Sequence, residues 1–102
     1  MKLFQFHLPP HPHAQRQWEA LAIVGAGGFT RQAPVIGAWN DKAGDTIIEP
    51  MVVYQVACDL PTFEKLLASA FSLWPREQAL FTVDVGEAFI HAREGHRLAS
   101  NG

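Results

Sequence analysis

Sulfhydryl chemistry is almost absent from this sequence: Cys58 is its one cysteine, so no disulfide can close within the chain, and the composition fits a reducing compartment. Charge is scarce as well. Eight Lys and Arg stand against ten Asp and Glu, 18% of all residues, and no two of the basic residues are adjacent. Such a chain has no basic field for gripping phosphates, which disfavours nucleic-acid binding. No apolar run approaches the length of a membrane span. At the N-terminus, Lys2 is followed by apolar residues that Gln5 and His7 break and Pro9 and Pro10 stop, too short and too polar a stretch for a signal segment. The expected location is cytoplasmic.

Catalytic motifs are missing too. Ser69, Ser72 and Ser100 have no elbow sequence around them. Cys58 has no Lys, Arg or His beside it to lower its pKa, and it ends an apolar strand as small core filler. Gly25-Ala26-Gly27-Gly28 looks faintly like a dinucleotide fingerprint, but these glycines close a helix instead of opening one. His7, His11 and His13 are close in sequence, yet Pro9, Pro10 and Pro12 make the segment stiff and extended, so the imidazoles would splay. Neither a metal nor a cofactor is expected.

What the chain does have is an apolar content of 48% in 102 residues, enough for one core and too little for two. Residues 1–92 read as a single α+β domain and 93–102 as a polar, frayed tail. Phe4, Phe6 and Leu8 alternate with Gln5 and His7, which marks a half-buried strand. After the prolines, Ala14, Trp18, Leu21 and Ala22 form one helical stripe, ended by Gly25, Gly27 and Gly28. Two strands follow, 35–40 and 46–58, joined by Asp41-Lys42-Ala43-Gly44. Pro50 interrupts the second strand and belongs at an edge, a bulge or a gap in pairing.

Asp59 caps a second helix whose core stripe is Phe63, Leu66, Leu67, Ala70 and Phe71, continuing to Trp74 before Pro75 ends it. Segments 79–85 and 87–92 read as two short strands around Gly86. The order is ferredoxin-like, βαββαβ with an extra C-terminal strand, and both helices lie on one face of an antiparallel sheet.

Candidate functional residues follow from this frame. Glu49, Tyr54, Glu77 and Glu87 are the groups suited to acid-base work, and each also has an easy structural role. Trp39, near the hairpin tip, is either a lid on the core, for instance against Phe29, or part of a contact surface. If the protein binds a small ligand or acts as a cofactor-independent enzyme, its pocket gathers Trp39, Glu49 and Tyr54.

The sequence also shows a pattern of short motifs: Gly27-Gly28-Phe29-Thr30, Gly37-Ala38-Trp39, Glu49, Tyr54 and Gly86-Glu87-Ala88. In these it resembles a family of small bacterial α+β domains of no assigned activity, often carried on mobile genetic elements. The resemblance spans residues 27–90 and implies the same fold, without a substrate or cofactor. One departure is Glu77-Gln78-Ala79-Leu80-Phe81, where acid and amide are exchanged relative to that pattern.

With no strong catalytic motif, the leading expectation is a non-catalytic interaction or assembly module that self-associates as a homodimer. Val52, Tyr54, Val56 and Cys58 should face the helices, which turns Met51, Val53, Gln55 and Ala57 outward. The first strand adds Gln5 and His7 to that outer face, and the fourth adds Leu80, Thr82 and Asp84. His7, Val53, Gln55 and Thr82 are thus the expected contact residues, on a sheet face less polar than water would favour.

Overall fold

A computed structural model of the chain describes residues 1–77 and 79–91. Its elements run β1 (Lys2–Leu8), α1 (Pro12–Ala26), β2 (Thr30–Asn40), β3 (Thr46–Cys58), α2 (Leu60–Leu73) and β4 (Phe81–Glu87). The sheet has the order β2-β3-β1-β4 with every neighbouring pair antiparallel, which is the ferredoxin-like arrangement.

Each helix begins and ends where its sequence dictates. His11 caps α1 by accepting the Ala14 N–H on Nδ1, and Asp59 caps α2 by accepting the Thr62 N–H. Pro12 and Pro61 sit in the first turns, where the missing N–H costs nothing. Gly27 closes α1 at φ 86°, a left-handed conformation that glycine adopts without strain, and its N–H bonds the Ile23 carbonyl.

The core is the space between one sheet face and the two helices. Phe4, Phe6 and Leu8 of β1 and Val52, Tyr54, Val56 and Cys58 of β3 meet Ala14, Trp18 and Ala22 of α1, Leu66 and Ala70 of α2, and Trp74 at the C-cap of α2. Small alanines let the helices approach the sheet, and the Trp18 indole N–H bonds the Leu66 carbonyl, so its one polar group is satisfied. In the expected stripes, Leu21 and Phe71 prove to be exposed.

Three further details differ from the sequence reading. The chain continues through Gly86 as one strand, β4, where two were expected. Gly86 takes φ 121° at a register shift opposite Leu3 and Phe4, bonded to Asp84 Oδ1, so it bulges the strand instead of reversing it. Residues 88–91 form no strand, and the expected tail, with His96 and Ser100, lies outside the described residues. The second correction concerns the bulge in the hairpin, which falls in β2 between Gln32 and Val35, beside Pro34. Pro50 itself pairs in register with Ile36, in the part of β3 that β1 does not reach, so Pro50 lies on a free edge as expected of it.

The third is the length of the hairpin: β2 begins at Thr30, where the sequence reading began it at Val35. β1 ends opposite Val52, whereas β2 and β3 continue together to Asn40 and Thr46. Six residues of β3 therefore overhang the sheet, about 20 Å of two-stranded arm. Asp41 turns its tip by accepting the N–H groups of Ala43 and Asp45, with Gly44 at φ 86°.

Candidate functional site

The alternation of β3 places Tyr54 and Glu49 on opposite faces. Tyr54, with no exposed surface, packs on Trp18 and Phe29 beneath the helices. Its hydroxyl donates to Glu19 Oε2 at 2.5 Å and accepts from Gln15, while Arg31 reaches the same Glu19 oxygen at 2.7 Å. Burial, then the bond to Glu19, pushes the Tyr54 phenol above its ordinary value. This network ties α1 to the start of β2; it is a structural clasp.

Glu49 shares its face with Met51 and lines a groove of about 480 Å³ at the base of the arm. The opposite wall is the segment between α2 and β4, which brings in Arg76, Glu77 and Leu80, and Phe81 closes one end. Trp39 forms the floor near the tip. Its indole lies on the backbone of Gly37, where a Cβ would come within 2.7 Å of the ring, and it tilts toward Phe81 with centroids 5.9 Å apart. Burial, and then the nearby Glu49, raises the Glu77 carboxyl above its ordinary value. The fold thus unites Trp39 with Glu49 and adds Glu77, but it leaves Tyr54 out of the pocket expected for all three. Phe29, expected as the partner of Trp39, instead meets Tyr54 edge-on.

The outer sheet face is less bare than expected. Val53 is only 3% exposed, flanked in register by His7 and Gln32, while the His7 ring meets Phe81 edge-on. Partial burial lowers the pKa of His7. Gln55, opposite Gln5, is half-buried on the same face. Thr82 is a correction: it pairs with Phe6 and so points to the helix side, and the residues β4 turns outward are Phe81 and Val83. A one-residue difference in strand register is enough to make that exchange.

The remaining candidates are dispersed. His11 is occupied by its cap and His13 approaches Gln17, both exposed. No group of three metal-ligating side chains forms among the described residues. Cys58 is buried, and desolvation pushes its thiol up to about 11, the reverse of what a nucleophile needs. Glu87 is exposed at the end of β4. Sequence reasoning missed Arg76 and Phe81 as groove residues. Phe81 carried a signal, as the first large apolar residue after a proline-ended helix.

No family model matches the sequence, and no curated protein does either. Solved structures do match. A divalent cation tolerance protein, Cut A1, from Thermus thermophilus superposes with a TM-score of 0.66 at 14% identity, covering 90% of this chain and 86% of that one. The PII-like protein CutA from Nostoc sp. PCC 7120 gives 0.63 at 23% identity, over 83% and 81% of the two chains. CutA from Synechococcus elongatus PCC7942 gives 0.60 at 14% identity, over 81% and 74%. The chain has the fold of the CutA proteins. At these identities the likeness is one of backbone architecture, and it fixes no residue's role.

Proposed function

We propose that this protein is a non-catalytic module that self-associates, with the hairpin arm as its contact. One observation carries the reading. Ile36, Ala38, Ile48 and Pro50 project from the same side of the arm, the side that continues the core face of β3, and no helix among the described residues reaches them. Ile36 is 71% exposed and Ile48 70%, although each is as apolar as the residues buried a few positions away.

A two-stranded hairpin is marginal by itself, and an apolar β-branched surface on one is an aggregation hazard unless something covers it. A second copy supplies a matching surface at no cost in new sequence, and the two-fold dimer is the smallest closed form. The neighbours' descriptions, a divalent cation tolerance protein and a PII-like protein, name no enzyme and fit a binding module. Self-association thus remains the proposal of choice, but its surface moves from the outer sheet face to the arm. The acid-base reading loses its basis, because Glu49 and Tyr54 lie on opposite sides of the sheet.

Light scattering at high micromolar concentration tests this. The wild-type chain is expected to show a multiple of the 11.3 kDa protomer mass, and Ile36→Lys with Ile48→Lys to show the protomer alone with its melting transition retained. Val53→Lys would be a poor probe, since Val53 is already buried within the single chain. A monomeric wild type, or a mass indifferent to both lysines, overturns the proposal.

A further inference from the structure

The groove at the base of the arm lies on the side of β3 away from Ile36 and Ile48, so a ligand in it and a second copy against the arm would meet different faces. We propose that this groove is a binding site for a small organic cation, an alkylammonium carried on an apolar body.

Three features of the groove select that chemistry. Its lining carries two aromatic rings, Trp39 and Phe81, 5.9 Å apart at 47° to each other, and aromatic rings attract a cation placed against their faces. Glu49 and Glu77 approach the same space from β3 and from the segment after α2, close enough for Glu49 to disfavour ionisation of Glu77. Among the described residues neither carboxylate is ion-paired and Arg76 is the one cationic side chain in the lining, so these three groups together carry a net negative charge. A bound cation would relieve the repulsion between the two acids. Around these groups the walls are Ile47, Met51 and Leu80, which suit an alkyl chain.

The same composition argues against a bare metal ion. Hard divalent cations favour six or more oxygen ligands, and beyond the Glu49 and Glu77 carboxylates and the Asn40 amide the side chains of the lining are apolar or, at Arg76, cationic. Anions meet two carboxylates at close range. Neutral apolar molecules gain nothing from those carboxylates and would leave them desolvated without a partner. The glycine at position 37 belongs to the design: a side chain there would collide with the Trp39 ring and push it off the floor.

The test uses the full chain labelled with ¹⁵N, following the Trp39 indole N–H in a two-dimensional spectrum. The probes are n-butylammonium, with 1-butanol and butyrate as size-matched neutral and anionic controls, and Ca²⁺ as the metal control. Trp18 and Trp74 are buried and bonded to carbonyls, so they serve as internal references for fold integrity. The expected result is a saturable shift of Trp39 with n-butylammonium and none with butanol or butyrate. Glu49→Gln and Glu77→Gln should each weaken that binding about tenfold, the effect of removing one of two near charges. An equal response to butanol would reduce the groove to an apolar patch and overturn the proposal. A response to Ca²⁺ alone would overturn it in favour of a metal site. No saturable shift from the ammonium, with the reference indoles in place, would also refute it.

Discussion

Gly37 and Trp39 show how a single residue type positions a side chain of the groove. Both belong to β2, and the indole can lie flat on the strand only because Gly37 has no Cβ. Gly37→Val is therefore expected to swing Trp39 away from Phe81, red-shifting its fluorescence. The ring is already partly in water, so the stability change should stay below about 1 kcal/mol in a denaturant melt. Tyr54 behaves differently because it is buried. Tyr54→Phe removes the bonds to Glu19 and Gln15 and should cost about 1 kcal/mol, read in the same melt.

The pH dependence follows from the same burial. Tyr54 and Cys58 both have folded pKa values raised above their ordinary ones, Cys58 from 9.0 to about 11. Between the unfolded and folded values the native state holds more protons, so stability is fully present below pH 9 and falls as pH rises toward 11. Equilibrium melts across that window should show the decline, and Cys58→Ala should flatten part of it. Thiol reagents should label Cys58 at neutral pH only as fast as the protein unfolds.

At the level of elements, α2 tests how well a periodic pattern identifies a buried face. The stripe from Phe63 to Phe71 was legible from its spacing, but the packed line runs through Leu66, Ala70 and Trp74, with Phe63 and Leu67 beside it. Leu66, at 3% exposure, should cost about 2 to 5 kcal/mol on truncation to alanine, whereas Phe71→Ala, at 42% exposure, should cost under about 1 kcal/mol. Thermal or chemical unfolding of the two variants decides which side faces the sheet. The start of α2 was readable because Asp59 and Pro61 say the same thing twice, whereas the His11 cap of α1 was not foreseen, since histidine is not among the preferred capping residues. β4 was misread because glycine marks a bulge and a turn equally well, and only pairing with β1 separates them.

The whole molecule divides into a packed body and an arm whose helix-side face meets no helix among the described residues. In the body, aromatic rings from β1, α1 and α2 interlock, Phe4 stacking on Phe63 and Phe6 meeting Trp18 edge-on. Along the arm the β2–β3 ladder and the contact of Trp39 with Phe81 hold the chain among the described residues, so its amides should open at lower cost than those of β1. Hydrogen exchange should show residues 35–40 and 46–51 exchanging fast in the Ile36→Lys, Ile48→Lys variant and slowly in the assembled wild type. Equal protection in both would mean that nothing covers the arm.

Local chemistry determined much of this protein. Alternation in β1 and β3, two capped helices, a turn at Asp41 and the absence of basic clusters follow from residues within a few positions of one another, and they suffice for an α+β ferredoxin-like domain. The face of β3 that Tyr54 takes was equally legible, because a period of two admits only two answers. Tertiary structure alone decided where β1 stops along β3, and so that half of the hairpin stands free. It decided also that the segment after α2 swings beside Glu49 to build a groove without Tyr54. Those outcomes depend on the relative lengths and registers of strands distant in sequence, which no local pattern encodes.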